Sequence, residues 1–277
     1  MRQSPFPVLS GSRQRRENYA FAIGKIRALE NFLIRREVFE EAIESNLSDA
    51  LRLFVESDFY ADELLHIKDS GQLEIALSQE LQKQKKLVTD LMLDKNLLRL
   101  IELNTLECVD DVLKSYPSQF LQDYFMHLID LHNIKTFLRL YILKEPKDKL
   151  ENLLKPCAGF IKKDTFLKLY DKDLSVFLNR LEYVHKRGRI LDYASILREP
   201  IQKLQQENSF VALEKATNDF LIQVLKSAKY LSFGPEPLLA YYFAKVNEIN
   251  LMRMIILAKL NNVSNDLVKE RLNNVYA

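Results

Sequence analysis

The stretch that decides the fold is Pro235-Glu-Pro-Leu-Leu-Ala-Tyr-Tyr-Phe-Ala-Lys-Val-Asn-Glu-Ile-Asn-Leu-Met-Arg-Met-Ile-Ile-Leu-Ala-Lys259. Beyond its first turn it has few polar residues, namely Lys245, Asn247, Glu248, Asn250, Arg253 and Lys259. The remaining side chains are apolar all the way round a helix, which is typical of a helix buried in a core or against a partner. Its charged groups must then be paired, because an unpaired buried charge is very costly.

Two interpretations of this helix follow. In the first it is the central helix of a core, and its polar groups are satisfied inside the chain, as buried polar groups usually are. In the second it is partly covered by another polypeptide chain of an assembly. Under the first interpretation we expect Arg253 to be paired in the interior, either with Glu248 or with an acid from another helix.

The rest of the chain is also helical in pattern. Only 6 of its 277 residues are glycine and 8 are proline, which is too little turn chemistry for a β-sandwich or barrel. Apolar residues recur at helical spacing, for example along a long first helix from Arg13 to Glu44. Pro117 is predicted to be the first residue of another long helix. No segment alternates as a strand would, so the prediction is an all-α fold in two or three lobes.

One internal echo supports similar lobes. The segment Asn133-Ile-Lys-Thr-Phe-Leu-Arg139 resembles Asn247-Glu-Ile-Asn-Leu-Met-Arg253, with Asn and Arg six positions apart in both. The separation suggests a repeated unit of about a hundred residues rather than a short solenoid repeat. We therefore expect a disordered leader followed by three lobes, with the boundaries 1–12, 13–115, 116–205 and 206–277.

Charge and composition argue against several classes of protein. The 40 basic residues are balanced by 38 acidic ones, so there is no basic footprint for nucleic acid. Cys108 and Cys157 lie far apart, which fits a reducing compartment better than a disulfide scaffold. No run of 18 apolar residues is present, so no transmembrane helix is expected.

The search for reactive groups finds no catalytic, cofactor-binding or metal site. The glycines are scattered, so no phosphate-cradling loop is predicted. Two Glu-x-x-His pairs, Glu63 with His66 and Glu182 with His185, have the spacing used in helical di-iron proteins. Both pairs lie close to turns rather than in the middle of helices, and we therefore expect no metal there.

The C-terminal stretch carries a family resemblance. Its pattern is Gly-Pro-Glu-Pro from Gly234, then Ala-Tyr, Ala-Lys, Glu-Ile and Arg as far as Arg253. This is similar to the signature of the C-subunit family of the rotary V/A-type ATPases, whose member in the eukaryotic vacuolar enzyme is called the d subunit. The segment from Tyr19 to Glu30 resembles the opening helix of that family, and the segment from Asp130 to Arg139 resembles its repeated helix motif.

The positions matched to the family motif are structural rather than catalytic. They are Asn133, Arg139, Gly234, Pro235, Glu236, Lys245, Glu248 and Arg253. The chain also departs from the family pattern, since Ala258 stands where a glycine is usual and the region after Lys144 looks abbreviated. The second lobe is therefore expected to be short.

The resemblance implies a non-catalytic part that couples two components of a rotary ATPase. Family members are all-helical funnels of three similar lobes that lie on the cytoplasmic face of the membrane proteolipid ring. They receive the shaft subunits D and F and transmit torque for ion transport, without a cofactor of their own. Two alternatives of other classes are a generic all-helical scaffold or adaptor, which would need short repeats that are not found, and a helical di-metal enzyme.

Overall fold

The computed structural model describes residues 16–57, 60, 62–102, 109–155, 159–186 and 189–277. The predicted leader 1–12, together with Cys108 and Cys157, lies outside these residues. Over the described ranges the fold is all-α, as the sequence predicts. The α-helices are α1 (Ala20–Glu30), α2 (Arg36–Glu44), α3 (Leu47–Ser57), α4 (Ser70–Leu91), α5 (Arg99–Glu102), α6 (Val109–Ser115), α7 (Gln119–Ile142), α8 (Lys147–Leu153), α9 (Lys163–Leu169), α10 (Leu174–Glu182), α11 (Ala194–Glu207), α12 (Val211–Lys226), α13 (Glu236–Leu260) and α14 (Asn265–Arg271). Short 3₁₀ helices span Asp62–His66, Lys95–Leu98 and Ser227–Tyr230.

The prediction that the chain has no strand is wrong at one place. Strands β1 (Val184–Lys186) and β2 (Arg189–Leu191) pair antiparallel, with Val184 opposite Leu191. Only two residues separate the two strands in the sequence. Three residues per strand are too few for an alternating pattern to be recognised. The hairpin joins α10 to α11.

The single long helix predicted from Arg13 to Glu44 is also wrong, because α1 ends at Glu30 and α2 begins only at Arg36. The backbone N–H of Ile34, between them, donates to Glu248 Oε2 at 2.7 Å. A distant carboxylate therefore takes up an N–H group that a continuous helix would have bonded internally. Local sequence periodicity contains no sign of this contact.

The start of α7 differs from the prediction by a small shift. Pro117 lies before the helix, and Ser118 is the N-cap residue, whose hydroxyl oxygen accepts a hydrogen bond from the N–H of Leu121 at 3.4 Å. Serine is a preferred N-cap because its side chain replaces a missing intrahelical acceptor. The predicted helix is present, but its first residue is Gln119 and not Pro117.

Among the described residues, three hydrophobic clusters form the interior. The first contains α1, the end of α4, α5, α6, the first half of α7, the end of α12 and the first half of α13. The second contains the second half of α7 and the helices α8 to α11. The third contains α2, α3, the start of α4, the second half of α13 and α14. The first and third clusters combine early and late segments of the sequence, whereas the second comes from the continuous stretch 126–213. The lobes 13–115, 116–205 and 206–277 stay predictions.

The two longest helices, α7 and α13, each contribute to two clusters. Leu121 and Leu138 of α7 belong to different clusters, as do Leu239 and Ile255 of α13. Helix α13 packs most extensively against α4. These shared helices carry the residues of the internal echo, and they hold the candidate site described next.

Candidate functional site

Helix α13 is buried along most of its length, and its charged groups have partners, as the first interpretation of the sequence requires. At its N-terminal end, Glu236 is almost fully buried. Its Oε1 atom accepts from Arg16 Nη1 at 2.8 Å and from Ser118 Oγ at 2.7 Å. Burial alone would lower the pKa of Arg16, but the hydrogen bond and negative charge of Glu236 outweigh it and raise that pKa. The pair joins the start of α13 to the chain before α1.

Gly234 and Pro235 shape the chain where it enters α13. Gly234 has a φ of 98°, a conformation that glycine adopts readily and other residues do not. A Cβ atom added there would clash with Glu236 Oε2 and would lie 2.8 Å from Arg16 Nη2. Pro235 occupies the N-cap position with helical backbone angles. The family-motif residues at this end therefore build one tight turn around a buried ion pair.

In the middle of α13 lies a second buried cluster, made by Lys245 and Glu248. Their side chains are 1% and 5% exposed, and the ammonium of Lys245 donates to Glu248 Oε1. The hydroxyl of Tyr60 donates to the same oxygen at 2.6 Å and accepts from Lys245 Nζ at 2.9 Å. Since Ile34 N–H donates to the other oxygen, both carboxylate oxygens are satisfied. This cluster connects α13 with the α1–α2 break and with the chain after α3.

Arg253 differs from the prediction in one respect. It pairs with an acid from another helix, as predicted, since its Nε atom lies 2.9 Å from Glu74 Oε1 on α4. Its side chain is however 29% exposed and that of Glu74 is 51% exposed, so the predicted interior location is wrong. Asn250, which accepts a hydrogen bond from Arg253, is also exposed. One side of the C-terminal half of α13 therefore faces solvent, although the composition of the helix suggests burial on all sides.

The matching residues of α7 make comparable contacts. Asn133 is buried, and its side-chain oxygen accepts from the N–H of Lys155 at 2.9 Å. Arg139 lies 3.4 Å from Glu214 on α12 and over the ring of Phe210. In both long helices, the Asn of the echo bonds a later backbone segment, since Asn247 Nδ2 donates to the carbonyl of Asn274 at 3.2 Å. In both, the Arg pairs with a glutamate of a neighbouring helix. The echo seen in the sequence therefore corresponds to a repeated set of contacts.

Helix α7 also carries a buried carboxylate, Asp130, whose hydrogen bonds are similar to those of Glu248. Asp130 is fully buried and accepts from the N–H groups of Phe160 and Ile161 at 2.9 and 3.0 Å. The hydroxyl of Tyr193 donates to Asp130 at 2.9 Å. Burial, together with the charge of Asp130, holds the pKa of Tyr193 well above its usual value, so the phenol stays a donor. Each long helix thus binds, through one carboxylate, a backbone segment and a tyrosine from elsewhere.

A groove of about 680 Å³ opens where α7, α12, α13 and α14 meet. Its apolar lining, which we call the floor, includes Leu128, Leu221, Phe243, Val246 and Met254. Its polar lining, which we call the rim, includes Arg139, Glu214, Lys215, Asn218, Asn247, Asn250, Arg271 and Asn273. We call this feature the apolar groove. It lies between the two echo helices and is large enough for several side chains of a partner.

The predicted site residues fall into separate places. Gly234, Pro235 and Glu236 lie together at the start of α13, whereas Lys245 and Glu248 form the buried cluster in its middle. Arg139 lines the apolar groove, and Asn133 and Arg253 lie outside it. The motif positions are thus distributed along two helices as structural contacts and do not converge on one reactive centre.

Sequence reasoning missed the partners of these residues. Arg16, Tyr60 and Tyr193 lie 220, 188 and 63 positions from the carboxylates that they bind. No spacing rule connects residues so far apart, so the sequence held no signal for them. Asp130 was inside the segment that resembles the family, and its apolar neighbours on a predicted helix were the one available sign of its burial.

The two Glu-x-x-His pairs lie in different elements of the fold. Glu63 and His66 lie on the 3₁₀ helix Asp62–His66, whereas Glu182 ends α10 and forms an ion pair with Arg198. Among the described residues, no group of three or more His, Cys, Asp or Glu side chains could hold a metal ion. Within the same ranges, no helix is long and apolar enough to cross a membrane.

Comparison with known proteins gives the family. The C subunit of the V-type sodium ATPase of Enterococcus hirae is 27% identical over 228 residues, which cover 81% of this chain. The chain spans 66% of the length of that relative. Residues 92–271, more than half of the chain, match the ATP synthase (C/AC39) subunit family. That range includes α7, α13, all eight motif positions and the residues that line the apolar groove except Asn273. The chain therefore belongs to the ATP synthase (C/AC39) subunit family, whose members are non-catalytic subunits of V/A-type ATPases, and the resemblance found in its sequence is confirmed.

Proposed function

We propose that the protein is a central-stalk subunit that links the rotor shaft to the membrane proteolipid ring and transmits torque for ion transport. Its partners would be the shaft subunits D and F on one side and the ring on the other, and it would lie on the cytoplasmic side as a peripheral part of the complex. Family membership supports a place in a rotary ATPase. The coupling role is the further step that we propose.

One observation carries the proposal, namely that α7 and α13 each run through two hydrophobic clusters. A torque-transmitting part must not bend where its lobes meet. A continuous buried helix provides this stiffness better than a flexible linker, because tightly packed interiors deform little and transmit strain. The buried pairs of Glu236 and Glu248 fix α13 to residues near the start of the chain, which removes another possible hinge.

The alternative of a generic helical scaffold predicts a different arrangement. A repeat scaffold is a stack of short similar units in which each contacts only its neighbours. Here α13, near the end of the chain, packs against α1, α3 and α4. Such long-range packing favours one integrated body, which suits a coupling part better than a chain of binding repeats.

The test measures ATP hydrolysis and ion transport side by side in a reconstituted complex, with and without this protein. We expect the complex without it to hydrolyse ATP but to transport no ions, because nothing then joins the shaft to the ring. Adding back the purified protein should restore transport, and the surface variant Lys114→Met should restore it equally well. Ion transport that continues without the protein would refute the coupling role, as would ATP hydrolysis by this chain alone.

A further inference from the structure

The charged side chains that line the apolar groove are not all paired within the described residues. The charged residues on its rim are Arg139, Lys215, Arg271 and Glu214. Glu214 is shared between Arg139 and Lys135, with Lys135 Nζ nearer at 2.8 Å. Lys215 and Arg271 form no ion pair within the described part of the chain. The rim therefore carries more positive than negative charge around an apolar floor.

The cations that line the groove come from separate helices. A small-molecule site normally has a few polar groups that converge on one point and orient the ligand. Here Arg139 is on α7, Lys215 on α12 and Arg271 on α14, and the apolar lining includes Leu221 and Phe243. A groove between helices with an apolar lining and spread charges is instead suited to the apolar face of an amphipathic helix.

A second copy of this chain is a poor occupant. In a two-fold symmetric contact the same surface patch occurs on both sides. Lys215 and Arg271 would then face the same cations of the other copy, and like charges brought together across an interface oppose binding. The chemistry of the rim favours a partner that brings carboxylates.

We infer that the apolar groove binds an amphipathic helix of another protein, with an apolar stripe that fills the floor and carboxylates on its flanks that pair with Lys215 and Arg271. That this helix belongs to the same ATPase complex rests on the proposed function. The charge and shape that the groove requires of its partner do not rest on it. The inference assigns an interaction surface and the charge of its partner.

The first experiment uses two helical peptides that share one leucine stripe and differ only in their flanks, with glutamates in one and lysines in the other. Binding to the full chain is measured by fluorescence anisotropy at low salt. We expect the acidic peptide to bind about tenfold more tightly, which corresponds to about 1.4 kcal/mol, and the difference to shrink at high salt. Equal affinities of the two peptides would overturn the inference.

Charge reversal locates the binding site. The double variant Lys215→Glu with Arg271→Glu should lose the preference for the acidic peptide. The matched control, Lys25→Glu with Lys86→Glu, changes the net charge equally at exposed positions outside the groove and should keep the preference. If both double variants behave alike, the acidic peptide is binding elsewhere, and the inference is wrong. Helix content by circular dichroism checks that each variant is folded.

The second experiment uses the assembled complex. A photo-crosslinking residue replaces Asn218 on the rim or, as a control, Lys86 on α4, and the crosslinked partner is mapped by mass spectrometry. We expect Asn218 to capture a helix with an apolar stripe and flanking acids, and Lys86 to capture a different segment or none. A captured segment without acids, or a second copy of this chain, would overturn the inference. Neither result would affect the coupling role, which is tested by ion transport.

Discussion

Replacing Lys245 by methionine tests whether the buried cluster in the middle of α13 is an important source of stability. The methionine keeps most of the volume of the lysine stem, so the change removes a charge without opening a large cavity. Lys245 is 1% exposed and Glu248 is 5% exposed. Removing one member of a buried ion pair costs about 3–5 kcal/mol, because the remaining charge stays buried without a counter-ion. Glu248 keeps its donors Ile34 and Tyr60, so we expect a loss near the lower end of that range, about 3 kcal/mol.

The measurement is urea unfolding followed by circular dichroism, since the chain contains no tryptophan. A loss of this size is a large fraction of the roughly 5–15 kcal/mol that stabilises a typical domain. The matched control is Lys114→Met, which removes a lysine with the same three-residue spacing from its partner Asp111, but at a pair that is 76% and 75% exposed. Exposed pairs contribute little, and this variant should unfold at the midpoint of the unmodified protein.

The double variant Lys245→Met with Glu248→Gln completes the test. If the charges are coupled, it should be more stable than the sum of the two single changes implies, because neither charge is then left alone. If Lys245→Met instead unfolds at the same urea concentration as Lys114→Met, the cluster is not a dry ion pair and the reasoning fails.

Other predictions concern glycine, the exposed pair and pH. Gly234→Ala should lose about 1–3 kcal/mol of stability in urea unfolding, because φ is 98° and the added Cβ would clash; Gly24→Ala, inside α1 with nothing within 4 Å of the added atom, should gain about 0.5–1 kcal/mol. Arg253→Met should lower the free energy of unfolding by no more than about 1 kcal/mol, since its pair with Glu74 is partly exposed. A loss of about 3 kcal/mol would contradict this and would mean that Arg253 is buried. Burial and nearby cations lower the pKa of His132 below 6.5. The unfolded chain then binds a proton first, so stability should fall as pH drops below 6.5, and His132→Gln should reduce that fall in a pH series of thermal unfolding.

The local features of the fold could be read from the sequence. Helical spacing predicted the all-α class, and the apolar circumference of α13 predicted both its burial and the pairing of its charges. These features depend on residues within a few turns of each other. The C-terminal pattern from Gly234 to Arg253 was long enough to indicate the family, and the match over residues 92–271 confirms it.

Most of the features that the sequence did not reveal depend on distant contacts. The break between α1 and α2 requires Glu248, and the burial of Glu248 requires Tyr60. Arg253 was expected inside because its helix is apolar, but exposure is decided by what packs on each face of the helix. The β1–β2 hairpin was too short to show a period. The apolar groove arises where four helices meet, and no single segment encodes it.

The sharing of α7 and α13 between hydrophobic clusters also has a consequence for how the protein unfolds. A domain joined to its neighbour by a linker can open alone, and its amide hydrogens then exchange independently of the rest. Here the loss of the third cluster would leave the second half of α13 without its packing partners, and the first half of the same helix belongs to the first cluster. Opening one cluster therefore weakens the next, and amide exchange along α13 should report a single large opening event. For the same reason, a truncated chain that ends before α13 should lose the first cluster as well as the third.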